Sequence, residues 1–97
     1  MRDIILASSF DEEFLAISVY LDRSFGALVA DKFEERFRSF ATALALSPRI
    51  GNTSHGYPTG LYAFVLAPCW VFYRFTETEL IFLHIRDGRM NKETQVF

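Results

Sequence analysis

Apolar positions along this chain change period twice, and the changes divide it into elements. "RDIILA" (residues 2–7) contains a short apolar run that stops at Ser8 and Ser9, which predicts a first strand. Beyond it Phe10, Phe14, Ile17 and Leu21 step by four, three and four, the stripe of an amphipathic helix. Ser9 and Glu12 have the capping-box spacing, and Asp11, Glu12 and Glu13 put negative charge in the first turn, where the helix dipole favours it. Gly26 predicts the stop. A second stripe, Ala30, Phe33, Phe37, Phe40 and Leu44, ends before Pro48, which disfavours helical geometry at Ser47. Two such helices with a short connection predict an antiparallel helical hairpin.

"PRIGNTSHGYPTG" (48–60) is dense in turn formers and reads as a loop. Three strand-like runs follow, "LYAFVLA", "CWVFYRF" and "LIFLHIR", separated at Pro68 and at "TETE". Connections this short favour an antiparallel meander. The predicted chain is one domain over residues 1–97, of the α+β class, in the order β-α-α-β-β-β. Its N-terminal strand and helical hairpin pack on one face of a mainly antiparallel four-stranded sheet. Strict alternation puts Trp70, Phe72 and Arg74 on one face with Leu80, Phe82, His84 and Arg86. Val71, Tyr73, Phe75, Ile81, Leu83 and Ile85 then form the apolar set that packs on the helices.

Composition removes several function classes. Half of the 97 residues are apolar and eleven are Phe, which excludes disorder. A lone cysteine, Cys69, rules out an intramolecular disulfide framework and fits a reducing cytoplasm. No run approaches the roughly 18 consecutive apolar residues of a membrane span. A net charge of −2 argues against non-specific nucleic-acid binding through the whole surface. Acids outnumber bases up to residue 45, whereas Arg49, Arg74, Arg86, Arg89 and Lys92 lie beyond it, so an anionic partner would meet the C-terminal half.

Motifs for metal or nucleophilic chemistry are missing. His55 and His84 are the only histidines, no Cys-x-x-Cys or His-Glu-x-x-His spacing occurs, and no phosphate-binding glycine loop or serine elbow is present. Neither metal nor cofactor is expected. "DEE" (11–13) and "EER" (34–36) read as solvated helix faces. Trp70, Arg74, His84 and Arg86 are of more interest. Arginine forks bind phosphates, aromatic rings stack on bases, and histidine titrates near neutrality, the parts a metal-free ribonuclease needs. The same set would also serve as a docking face or as the wet side of a half-covered sheet.

The succession of strand, helical hairpin, "SPRIGN", "GLYAFVL", "WVFYRF", "LIFLHI" and "DGRM" resembles the RelE/ParE superfamily of bacterial type II toxins, most closely its ParE branch, over residues 2–91. The resemblance implies a growth-arresting toxin of the kind linked to plasmid stabilisation, neutralised by a cognate antitoxin. ParE-like members inhibit DNA gyrase by binding it, whereas RelE-like members are ribosome-dependent endoribonucleases that cut mRNA. Trp70 stands where the RelE-like branch has an arginine, and "NTSHGYPTGLY" lacks that branch's lysines. Arg89 matches an arginine expected after the last strand, while Phe97, near a tail position where a tyrosine acts, cannot exchange a proton. Tyr62 stands where many ParE relatives have an arginine. The leading expectation is a non-enzymatic gyrase inhibitor whose target-binding residues are Trp70, Arg74, Arg86, Arg89 and Tyr62. The alternatives are a nuclease using His84, Arg74, Arg86 and Arg89 on ribosome and mRNA, and a degenerate toxin that only binds antitoxin.

Overall fold

A computed structural model describes residues 1–50, 52–53 and 60–87. Strand β1 (Asp3–Leu6) leads into helix α1 (Ser8–Phe25), and α2 (Ala27–Leu46) follows with only Gly26 between them. Gly26 has φ 97°, a left-handed value that favours glycine, and its N–H closes α1 on the Asp22 carbonyl. A 3₁₀ turn (Pro48–Ile50), β2 (Asn52–Thr53), β3 (Tyr62–Leu66), β4 (Cys69–Phe75) and β5 (Glu79–Asp87) complete the order. Among the described residues the sheet runs β1-β5-β4-β3-β2, antiparallel except for the parallel pair β1–β5. The expected α+β architecture is present, with the two-residue β2 as an added edge. That edge falls inside the stretch expected to be a loop.

The apolar stripes of both helices meet one face of the sheet. Phe10, Phe14, Phe33, Phe37 and Phe82 form a linked set of rings with centroids 5.0–5.7 Å apart, in tilted, stacked and edge-on contacts. Leu44, Leu66, Cys69, Val71, Tyr73, Leu80 and Ile85 complete the core. Phe40, placed on the same stripe by its spacing, is 38 % exposed and stacks on Phe64 at 5.1 Å. The expected capping box does not form. Ala7 precedes the helix, its carbonyl accepting from Asp11 N–H, and Ser9 lies inside the first turn. The Ser9 hydroxyl donates instead to the Leu83 carbonyl at 2.8 Å, so it ties α1 to β5.

Alternation fails at one point in β5. Phe72 pairs with His84 but Tyr73 pairs with Phe82, so Leu83 is an extra residue in a β-bulge. The bulge reverses parity. Leu80 and Phe82 face the helices, opposite to the strict-alternation assignment, and Ile81 and Leu83 face away. Ile85, His84 and Arg86 lie on the faces assigned to them. Nor is the second face simply wet. Leu61, Ala63 and Phe72 form a second apolar cluster there, with Trp70 and Leu83 packed against it, and Phe72 is 0 % exposed.

One buried polar contact joins the loop to the core. Tyr73 is 0 % exposed and its hydroxyl donates to the Pro48 carbonyl at 2.6 Å. Tyr73→Phe keeps the ring packing but leaves that carbonyl without its partner. The expected cost is about 1–2 kcal/mol in unfolding free energy, measured by urea denaturation.

Candidate functional site

Strand β1 is shorter than β5 and pairs only with Glu79–Phe82, so the rest of β5 needs another neighbour along that edge. The start of α1 supplies it. Ala7 N–H donates to the Phe82 carbonyl at 2.9 Å, the Ser9 hydroxyl to Leu83, and Glu13 Oε1 accepts from the Ile85 N–H at 3.2 Å. Glu13 lies three residues after Phe10 and four before Ile17, on the buried stripe itself, which brings its carboxylate to the sheet edge.

The same carboxylate gathers two of the expected site residues. His84 Nδ1 lies 3.2 Å from Oε1, and the Arg86 guanidinium pairs with Oε2. These three side chains are 20–26 % exposed. Burial holds the His84 imidazole below its ordinary 6.5. A neutral His84 therefore donates its Nδ1 proton to Glu13 at neutral pH. "DEE" is thus not uniformly a solvated face: Asp11 and Glu12 are exposed, but Glu13 is a structural clamp. Its position on the apolar stripe was the signal that could have singled it out.

Trp70 pairs across the sheet with Arg86 and is half-buried against the second apolar cluster, so it is a less exposed anchor than expected. Arg74 lies on the same face, exposed, opposite Ile81 and one residue pair, about 7 Å, from Phe72. Trp70, Arg74, His84 and Arg86 therefore do share a face. Tyr62 does not join them. It stacks on Tyr73 and Phe75, at 5.7 and 5.1 Å, on the helix-facing side. There Arg49 Nη1 donates to the Tyr62 hydroxyl at 3.4 Å, and the guanidiniums of Arg49 and Arg2 lie 5.4 and 5.3 Å from the Phe75 ring. Arg2 also donates from Nε to the Thr76 carbonyl. This second basic cluster was not singled out from the sequence, because its members are scattered over 74 positions. Arg89, Phe97 and His55 lie outside the described residues. Among the described residues no group of three or more His, Cys, Asp or Glu side chains could hold a metal ion.

A helical hairpin packed on one face of a mainly antiparallel sheet is also the fold of chains solved from bacterial toxin–antitoxin systems. The chain covers 90 % of itself and 96 % of a chain from the chromosomal ParDE system of P. aeruginosa, with a TM-score of 0.73 at 17 % identity. A chain of the E. coli DinJ-YafQ toxin–antitoxin complex superposes with a TM-score of 0.60 at 14 % identity, over 91 % of this chain and 93 % of that one. At the sequence level the chain is 33 % identical to Toxin ParE3 of Caulobacter vibrioides over 87 residues, 82 % of this chain and 87 % of that protein. Residues 4–92 match the family described as ParE toxin of type II toxin-antitoxin system, parDE. The chain belongs to that family.

Two outcomes follow from the clamp. Glu13→Ala should destabilise the fold by about 2 kcal/mol, whereas Glu12→Ala should stay within about 0.5 kcal/mol, both by chemical denaturation. His84 binds its proton more weakly folded than unfolded, so its contribution is complete above pH 6.5 and is lost as pH falls through the lower folded value. Unfolding free energy should decline as pH falls below 6.5, with a shallower slope in His84→Gln.

Proposed function

We propose that this ParE-family toxin inhibits DNA gyrase by binding it, without turning over a substrate, and that a cognate antitoxin neutralises it. The observation that carries the non-enzymatic reading is the Glu13 clamp. A ribonuclease of the alternative kind needs a histidine free to move a proton and an arginine free to stabilise a phosphorane. Here Glu13 engages His84 and neutralises the Arg86 guanidinium. Membership in the ParE family favours the same reading.

The residues proposed to meet the target are Arg74 and Arg86 with Trp70 on one face, and Arg89 following β5 in sequence. Tyr62, with Arg49 beside it, forms a separate contact region on the other face. Arg74 is the exposed member of the first set, while Trp70 and Arg86 are held in place by packing and by Glu13. Antitoxin binding is supported by the solved structural neighbours, which include toxin–antitoxin assemblies. Among the described residues no helix is long and apolar enough to cross a membrane, consistent with the cytoplasmic setting that gyrase requires.

Supercoiling and gyrase-mediated DNA cleavage, measured with purified toxin at several-fold excess over gyrase, test the proposal. Supercoiling should be blocked, and Arg74→Ala should weaken the inhibition roughly fivefold or more, the loss typical of an interface residue worth about 1 kcal/mol. Undisturbed supercoiling at that excess would exclude gyrase as the target.

A further inference from the structure

The hairpin carries a group of acids that neither the clamp nor the proposed target face uses. Between α1 and α2 lies a notch of about 290 Å³ whose lining includes Ser18, Asp22, Ala30, Asp31 and Glu34. Among the described residues no Lys or Arg forms an ion pair with any of these three carboxylates. Asp22 also stands in the last turn of α1, where the helix dipole disfavours negative charge. At the same notch Ser18 is only 9 % exposed, and its Oγ has no hydrogen-bond partner among the described residues. A buried hydroxyl without a partner costs free energy, and three carboxylates on one notch give it a negative potential. Both features suit the same kind of ligand, a cation that is also a hydrogen-bond donor.

We propose that Asp22, Asp31 and Glu34, with Ser18 among them, receive one arginine side chain of the bound antitoxin. The proposal rests on the antitoxin reading given above. The carboxylates do not form a metal-binding group. They instead suit a planar guanidinium, which spreads five donors over several ångströms, while Val19, Ala27 and Ala30 offer an apolar wall for its methylene stem. Glu34 and Arg38 also border a neighbouring depression whose other lining residues are Leu6, Phe10, Phe14 and Phe37, so a largely apolar site adjoins the acidic one along the hairpin. One partner segment can use both, with an apolar side chain roughly one to two helical turns, ~6–12 Å, from the arginine.

Calorimetric titration of the purified toxin with its cognate antitoxin tests this. Neutralising the notch with D22N/D31N/E34Q should weaken binding at least tenfold and reduce its salt dependence, while the control E12Q/E35Q should bind within twofold of wild type. Ser18→Ala should raise the thermal midpoint of the free toxin, by removing an unsatisfied hydroxyl, yet weaken antitoxin binding severalfold. Tight binding by wild type that the triple variant leaves within twofold would overturn this proposal alone. No binding by wild type would overturn the antitoxin reading and this one with it. A lowered midpoint in Ser18→Ala would mean that the hydroxyl is satisfied in the free chain, and would remove it from the site.

Discussion

The structure depends on how the edge of β5 is closed beyond Phe82, where β1 ends. An open strand edge exposes backbone donors and acceptors and invites pairing with another chain. This chain closes the exposed stretch with the beginning of its first helix: a backbone N–H from Ala7, a hydroxyl from Ser9 and a carboxylate from Glu13 bond in succession to Phe82, Leu83 and Ile85. The last of these bonds brings a negative charge against the strand, which is balanced by Arg86 and by hydrogen bonding to His84. Closing the edge, docking α1 on the sheet and orienting two polar side chains are thus one arrangement. The ring network of Phe10, Phe14, Phe37 and Phe82 packs immediately behind it.

That arrangement bears on function because it decides what His84 and Arg86 are free to do. Histidine, arginine and tryptophan on one sheet face are also the components of an RNA-cleaving site, and side-chain identity alone does not separate the two uses. The geometry weights them differently. A histidine held neutral by burial and donating to a carboxylate is a poor proton carrier unless that contact breaks, and an arginine already paired offers less positive charge to a phosphate. Arg74 keeps its exposure on the same face, and Arg2 and Arg49 flank Phe75 on the other. Cations thus stand at separate places on the surface, which supports the proposed recognition of a protein over concerted acid–base chemistry.

Much of the fold was legible because helix stripes and short strand runs follow from burial alone. The helical hairpin, the Gly26 break and the three C-terminal strands are where periodicity and turn residues put them. The failures have local physical causes. One extra residue at Leu83 reversed the faces of Leu80 and Phe82, and a bulge leaves no trace in a run as uniformly apolar as "LIFL". Ser9 and Glu12 matched a capping box, yet the tertiary partner at Leu83 claimed the serine hydroxyl. The second apolar cluster around Phe72 was missed because a half-covered sheet was expected to be polar on its other side. Trp70, Arg74, His84 and Arg86 were grouped on one face as expected, while Arg2 and Arg49 were recognisable only once the chain was folded and Glu13 was passed over despite its place on the apolar stripe.

The central proposal is that Glu13 makes His84 a structural residue in a toxin that acts by binding. It is tested most directly by expressing wild type and His84→Gln in bacteria while following growth and mapping transcript ends by primer extension. The account predicts growth arrest by both proteins with transcripts intact. Discrete cuts within translated codons that appear with wild type and vanish with His84→Gln would contradict it.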